Sequence, residues 1–368
     1  MKNKRFLTIL TVCSIFLASV LLFPASSHAD LLAEVIKGAK AEGEATVRIH
    51  PAVDDKEFAR LSSEIEETFG VKLKLTQNYV GSPPAEMSKL FMEFKSGITP
   101  HLDVMWGSTS QPFQPAYQAI TKKIDWHALL DNPLTKDIPR IAVKDLWPAP
   151  SLSWGDSTGD VVYRSDKLSY DEVPDSYAAM ADPKFRGKIG IASYSSQPPL
   201  KAFFHGNKED VYSGFKAALK NDPVVGRYGD LVARLELGEI WVAQTVTHRV
   251  GLARSHGVPV GYKFMYNTVA LDAYSSIVVN NCAHPNAATL VILYLSGPRG
   301  AKWSEDTWYA GNAHFPGNFL YEDIQKLKAR GGKVLDLSSM QSYKDFMNSD
   351  ERKKMQKEAS SILKGAKK

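Results

Sequence analysis

Residues 181–199, with the sequence ADPKFRGKIGIASYSSQPP, contain a polar turn, a short apolar strand and a cluster of hydroxyl groups, in that order. Two prolines follow where a helix would begin. Proline is tolerated there because the first helical N–H groups lack partners in any case. The stretch therefore predicts a strand over 188–192, a hydroxyl-rich loop with Tyr194, Ser195 and Ser196, and a helix. Such a loop either caps the helix or binds a ligand.

The same order of strand, hydroxyls and helix start occurs at two other places. The apolar run 102–106 leads into Ser108, Thr109 and Ser110, and the run 240–243 leads into the segment 245–249. A helix cap needs one hydroxyl, whereas these loops carry two to four. In a parallel α/β sheet such junctions lie along the carboxyl edge of the strands, where ligands bind. We therefore expect the three junctions to form one binding site.

The junction that follows the run 240–243 also carries a charge. Thr245 and Thr247 flank the predicted helix start, and Arg249 follows one turn into the helix. Helix N-termini attract anions through their free N–H groups and their dipole, and an arginine adds a charge-assisted contact. The residue types at this junction favour an anionic ligand.

Strand and helix signals alternate along the rest of the chain. Alternating or β-branched runs predict strands at 45–49, 71–75, 161–163, 258–264 and 276–279, with helical spacing of apolar residues between them. This alternation predicts parallel βαβ units. A chain of this length usually divides its core, so we expect two lobes.

The amino-terminal residues predict secretion. A cationic start is followed by an apolar run over 6–23, and Ser27 and Ala29 stand where a signal peptidase reads small residues. We expect residues 1–29 to be a cleaved signal peptide and the mature protein to be periplasmic. The mature chain would have 42 basic and 40 acidic residues, a balance with no footprint for nucleic acid. Only Cys282 would remain, so an intrachain disulfide is excluded.

Motifs for catalysis are missing from the sequence. There is no G-x-S-x-G, no phosphate-binding G-x-x-x-x-G-K-[ST] and no H-E-x-x-H. Cys282 lies next to His284, but the segment 283–286 is typical of a turn that opens a helix, and a buried, inert thiol is expected. The histidines stand singly, without the spacing of metal ligands. We expect no enzyme activity, no cofactor and no metal centre.

Four motifs resemble one family. They are Trp-Gly-Ser at 106–108, Asp-Pro-Lys-Phe-Arg-Gly-Lys-Ile at 182–189, Gly-Glu-Ile-Trp-Val-Ala at 238–243 and His-Pro-Asn-Ala-Ala at 284–288. In this order they resemble the extracellular solute-binding proteins of bacterial ABC importers, in the cluster that includes ferric-iron, polyamine, phosphonate and sugar-phosphate binders. The likeness covers nearly the whole mature chain, and residues 182–189 are its most specific part.

The resemblance implies an α/β fold of two lobes, the type II fold of periplasmic binding proteins, with a mixed sheet and flanking helices in each lobe. Residues 30–153 and 274–368 would form lobe 1, and residues 154–273 lobe 2. Two hinge segments, near 154–163 and 271–276, would join the lobes. A monomer would capture a small solute between them and deliver it to permease subunits in the inner membrane.

Several ligand classes stay open at this point. The hydroxyl loops and Arg249 favour a small polar anion, such as a phosphonate, a phosphate ester or a carboxylate, and Trp154 and Tyr266 are candidates to stack on its organic part. Ferric ion is the alternative, although none of the 15 tyrosines stands next to another. A polyamine would need several carboxylates in the cleft, and the candidates are Asp54, Asp55, Asp156, Asp160 and Asp272. Two other functions are a receptor for a membrane sensor kinase and a periplasmic enzyme.

Overall fold

The computed structural model describes residues 28–48, 53–78, 83–108, 115–146, 151–205 and 207–366. Most of the predicted signal peptide, residues 1–27, lies outside them. The elements up to the first crossing of the chain are, in order, α1 (His28–Glu42), β1 (Glu44–Arg48), α2 (Asp55–Phe69), β2 (Lys74–Gln77), α3 (Pro83–Lys95), β3 (Val104–Ser108), α4 (Pro115–Ile120), α5 (Trp126–Leu130) and β4 (Leu152–Ser157).

The remaining elements begin on the other side of this crossing. They are β5 (Gly159–Arg164), β6 (Ile189–Ala192), α6 (Gln197–His205), α7 (Lys208–Leu219), β7 (Val224–Gly226), α8 (Tyr228–Glu236), β8 (Val242–Val246), α9 (Thr247–Ser255), β9 (Val260–Lys263), β10 (Thr268–Val278), α10 (Pro285–Ser296), α11 (Pro298–Trp308), α12 (Phe319–Ala329), β11 (Lys333–Asp336), α13 (Gln341–Asn348) and α14 (Asp350–Ala366). Short 3-10 turns connect several of them.

Local sequence explains where these elements begin and end. In α2, the carboxylate of Asp54 accepts a hydrogen bond from the Glu57 N–H at 2.8 Å, which satisfies a free donor of the first turn. Gly70 ends the helix in the left-handed region at a φ of 67°, where glycine carries no steric penalty. Apolar residues between these two ends recur at helical spacing and are buried, so the helix has one face in the core.

The strands form two sheets. The first has the order β11–β10–β3–β1–β2, with β4 also paired to β10. Within it β1 is parallel to β2 and β3, whereas β10 is antiparallel to β3 and β4. The second has the order β7–β6–β8–β5–β9, in which β6, β7 and β8 are parallel and β5 is antiparallel to its neighbours. Each sheet and the helices packed on it form one lobe, called the first and the second lobe.

Two segments cross between the lobes next to each other. The first crossing segment is Thr158, which joins β4 to β5. The second is residues 264–267, which lead from β9 into β10 through a 3-10 turn. Thr158 lies within the first expected hinge region, 154–163, whereas residues 264–267 precede the second expected region, 271–276. The mixed sheets and the two crossings are those of the predicted fold class.

The carboxyl-terminal helices lie elsewhere than the predicted division suggests. Lobe 1 was expected to include all of 274–368, but α12 and α14 pack on the second lobe. Leu320, Ile324 and Leu327 of α12 join the core around β8 and β9, and Met355 and Leu363 of α14 join the core around α7. An amphipathic pattern shows that one helix face is buried, but does not show against which neighbour it packs.

Within the described part of the chain, every helix is too short or too polar to cross a lipid bilayer.

Candidate functional site

A cavity of about 650 Å³ lies beside the first crossing, between β10 and the second lobe. Its volume is in the range of small-molecule sites in proteins. The first crossing, β10, the end of β8, the starts of α6 and α8, one face of α6 and the segment after β11 contribute to its wall. The lining residues are Pro84, Ser157, Thr158, Gly159, Tyr194, Ser196, Gln197, Leu200, Lys201, Phe204, Tyr228, Val246, Ala270, Asp272, Leu337 and Tyr343.

The hydroxyl loop after β6 forms part of this wall. The Ser193 N–H donates to the Gly226 carbonyl at 2.8 Å, which ties the loop to the end of β7. Tyr194 and Ser196 line the cavity, whereas Ser195 is half-buried and does not line it. The ring of Tyr194 lies against that of Tyr228, with 4.6 Å between the centroids. This predicted loop therefore supplies one wall of the cavity.

The junction between β8 and α9 lies directly behind the wall. Val246 lines the cavity, while Thr245 and Thr247 on either side of it are fully buried. Both threonine hydroxyls lack a hydrogen-bond partner among the described residues. An unsatisfied buried hydroxyl costs about 1–3 kcal/mol. The stability of the fold therefore does not explain why threonines occupy these two positions.

Arg249 lies one turn further along α9, close to the cavity but outside its lining. A Cβ atom on Gly229 would be 3.8 Å from the guanidinium carbon, so the arginine packs beside the start of α8. No carboxylate within salt-bridge distance of Arg249 is found in the described part of the chain. Its neighbour His248 contacts the Tyr274 hydroxyl through Nδ1 at 3.3 Å, which joins α9 to the first sheet.

The other predicted site residues lie apart from the cavity. Trp154 is buried in the first lobe, where its indole N–H donates to Ser276 at 3.0 Å. The Tyr266 hydroxyl accepts from the Tyr177 N–H at 3.3 Å, and its ring stacks on His205. Ser108 ends β3, and Thr109 and Ser110 lie outside the described residues. The segments that follow β1, β2 and β3, at 49–52, 79–82 and 109–114, all fall outside them.

Sequence reasoning missed the main cation of the site. Lys201 is only 4% exposed, lines the cavity and makes an ion pair with Asp160, which is 1% exposed. Burial raises the pKa of Asp160, and the attraction of Lys201 opposes the rise. A lysine among the buried residues Pro198, Pro199 and Ala202 is the available signal, because a charge on an apolar helix face needs a partner.

Asp272 supplies a carboxylate to the same cavity, beside two tyrosines. Burial raises the pKa of Tyr343, and the nearby Asp272 carboxylate raises it further. Burial also raises the pKa of Tyr228. Both phenols are therefore protonated at neutral pH and can donate hydrogen bonds. The cavity offers an ammonium, a carboxylate, phenols, hydroxyls and an amide, which suits a small solute with several polar groups.

The chemistry of Cys282 is consistent with the inert thiol expected from the sequence. Burial raises the pKa of Cys282 to about 12, so the thiol is protonated at neutral pH and is a poor nucleophile. Among the described residues, no three side chains of histidine, cysteine, aspartate or glutamate lie together as metal ligands would.

Comparison with protein-family models finds no match, and comparison with curated sequences finds none either. Solved structures are similar in fold. The spermidine/putrescine ABC transporter substrate-binding protein PotD from Streptococcus pneumoniae is 11% identical with a TM-score of 0.65, and the match covers 88% of this chain and 99% of that one. The Trichodesmium protein IdiA (FutA), solved with iron and citrate, is 16% identical with a TM-score of 0.60 and the same coverage.

A third similar structure is the periplasmic binding protein AfuA from Actinobacillus pleuropneumoniae, solved with fructose-6-phosphate. It is 15% identical with a TM-score of 0.58, over 88% of this chain and 99% of that one. The chain thus has the type II fold of periplasmic binding proteins. Its described residues build the architecture of the substrate-binding proteins of ABC transporters, and the resemblance seen in the sequence is confirmed at the level of the fold.

Proposed function

We propose that this chain is the periplasmic substrate-binding protein of an ABC importer. It captures a small polar solute at the cavity between β10 and the second lobe, and delivers it to a permease in the inner membrane. The observation that carries the proposal is the position of this cavity: it is lined by the first crossing, by β10 after the second crossing, and by the loop after β6 and the end of β8, which are parallel strands.

Capture follows from a shift between open and closed arrangements of the lobes. A solute that contacts both lobes only when they are closed favours the closed form by its extra binding free energy. A micromolar dissociation constant corresponds to about −8 kcal/mol, which a few charge-assisted hydrogen bonds in a dry cleft supply. Tyr194 and Ser196 would contact the solute from the second lobe, and Ser108, Thr109 and Ser110 from the first.

The positively charged hydrogen-bond donors at and beside the cavity suit a solute with an acidic group. Lys201 lies in the wall, and Arg249 stands beside the start of α8 with the N-terminus of α9 nearby. A phosphonate, a phosphate ester or a carboxylate would use these donors. Asp272 adds an acceptor, so we expect the solute also to carry a hydroxyl or an amine.

Ferric ion is the second candidate ligand. Three tyrosines and one carboxylate line the cavity, namely Tyr194, Tyr228, Tyr343 and Asp272, and oxygen ligands suit a hard cation. Burial opposes this use, because it raises the pKa of Tyr228 and Tyr343 and so disfavours the tyrosinate that would bind iron.

A thermal-shift screen of the purified mature chain tests the proposal. The panel contains phosphonates, phosphate esters, dicarboxylates, polyamines and ferric salts. We expect an acidic solute to raise the melting temperature, because a ligand that binds only the folded state stabilises it. Tyr194→Ala should reduce this shift, whereas Leu237→Ala, at a side chain that is 75% exposed and does not line the cavity, should leave it unchanged.

Two outcomes would contradict parts of the proposal. Stabilisation by ferric salts alone, with a tyrosinate absorption band, would replace the acidic solute with iron. No stabilisation by any member of the panel would count against capture of a solute of these classes.

A further inference from the structure

We infer that Asp160 is a positioning residue that couples the cavity to both crossings of the hinge. The inference deepens the proposed function and rests on it for its meaning, because a hinge matters only if the lobes move around a ligand. Asp160 is the second residue of β5, two positions after Thr158, and its carboxylate contacts the cavity residue Lys201 and both crossings.

The two oxygens of this carboxylate divide their partners between the crossings. Oδ2 accepts a hydrogen bond from the Thr158 hydroxyl at 3.0 Å, and Thr158 is the first crossing segment. Oδ1 accepts from the backbone N–H of Met265 at 3.0 Å, in the second crossing. One rigid group therefore holds residues that are more than a hundred positions apart in the chain.

A second contact joins the same two segments. The hydroxyl of Tyr262, in the strand that leads to the second crossing, donates to the carbonyl of Thr158 at 2.9 Å. Tyr262 is buried, as are Thr158 and Asp160, so water does not compete for these bonds. The two crossings are thus tied to each other by side chains as well as by their place in the two sheets.

Lys201 connects this node to the cavity. Its ammonium donates to Asp160 Oδ1, the oxygen that also holds Met265. An ammonium has three donors, and Asp160 is its one hydrogen-bonding partner within the described residues. The other two N–H donors can bond to an acceptor on a solute in the cavity. A solute that binds Lys201 would change its ion pair with Asp160, and hence the hydrogen bonds of Asp160 to both crossings.

Hydrogen exchange of the ligand-free mature chain tests this coupling. Thr158→Val removes the bond from the first crossing and keeps the size of the side chain. If Asp160 couples the crossings, exchange should become at least tenfold faster at residues 264–267 of the second crossing, and exchange in β1 and β3 should not change. Thr135→Val is the matched control, because its buried hydroxyl donates to the Leu129 carbonyl at 2.7 Å within the first lobe.

Charge variants give an independent test. Asp160→Asn leaves a buried ammonium without its counter-ion, and Lys201→Gln leaves a buried carboxylate without its cation; both should accelerate exchange in the two crossings. The double variant keeps a neutral hydrogen-bonded pair and should restore at least half of the lost protection. If the charge variants do not fold, the threonine pair still decides the question.

The inference is overturned if Thr158→Val leaves the second crossing unchanged or accelerates exchange equally in β1 and β3. It is also overturned if folded charge variants affect one crossing alone. Because no ligand is present in this experiment, its result is independent of the thermal-shift screen. A negative screen would reject the proposed ligand classes and leave the hinge coupling standing.

Discussion

Asp336 at the end of β11 shows how a single carboxylate can be stabilised by its surroundings. It accepts hydrogen bonds from the Ser338 N–H at 3.0 Å and from the Ser339 hydroxyl at 2.8 Å, and the buried ammonium of Lys144 is 3.5 Å away. Burial by itself would raise the pKa of Asp336. The attraction of Lys144 and the serine donors outweighs burial and lowers it.

This lowered pKa predicts an acid-dependent loss of stability. The ionised carboxylate stabilises the fold above the unfolded-state pKa of about 4, and this contribution disappears as the pH falls through the lower pKa of the folded state. Melting temperatures measured between about pH 2 and pH 6 should therefore fall more steeply for the natural chain than for Asp336→Asn. Asp55→Asn, at an exposed carboxylate of α2, is the control and should keep the steep profile. Identical slopes for the natural chain and Asp336→Asn would contradict the prediction.

Helix α14, like α12, lies in a different lobe from the one expected from the sequence. Its buried residues Met355, Ala359 and Leu363 pack with Phe215 and other residues of the second core. The Tyr212 hydroxyl of α7 donates to the Met355 carbonyl at 2.6 Å and fixes the helix against its neighbour. Movement of the second lobe should therefore carry α14 with it.

Met355→Ala should test this packing. Removal of a buried methionine side chain leaves a cavity, and the free energy of unfolding should fall by about 2–5 kcal/mol. We expect hydrogen exchange to become faster in α6 and α7, with no change in β1 and β3. Lys354→Ala, at the preceding exposed position, is the matched control. Faster exchange confined to the first lobe would show that α14 supports the other core.

At the scale of the whole molecule, a contact outside the two crossing segments also joins the lobes. The Tyr274 hydroxyl of β10 lies 3.3 Å from His248 of α9 and also hydrogen-bonds to Ser157. Its ring stands within 5.6 Å of Trp106, Trp154 and Trp308, in an aromatic cluster of the first lobe. This hydroxyl is therefore a direct link between the two lobes.

Tyr274→Phe removes the hydroxyl and keeps the ring. The hydrogen bond is worth about 1 kcal/mol. Its loss should lower about fivefold the ratio of molecules whose lobes are in contact here to molecules whose lobes are apart. Small-angle scattering of the ligand-free chain should show a larger radius of gyration. Tyr321→Phe, at a half-buried tyrosine of α12, controls for the loss of a phenol elsewhere. A radius that does not change in Tyr274→Phe would argue against the link.

The sequence alone was sufficient for the α/β alternation, and it identified the loop at 193–197 that lines the cavity. Periodicity indicates which face of an element is buried, and turn residues indicate local backbone geometry; both can be recognised from residues a few positions apart. The predicted run at 188–192 lies on β6, and the run at 102–106 overlaps β3. The ends of these strands differ by up to two residues, because pairing with a partner strand decides where a strand stops.

Only the tertiary structure decided which side chains meet. Lys201 and Asp160 are 41 positions apart, and their pairing depends on the packing of α6 against β5, which local pattern does not encode. Trp154 and Tyr266 have the residue types of a binding site, but they found partners in the cores because burial of an aromatic ring is favourable wherever space exists. Local apolar pattern and turn residues determined the kind and order of the elements of this protein, and long-range packing and desolvation determined its cavity.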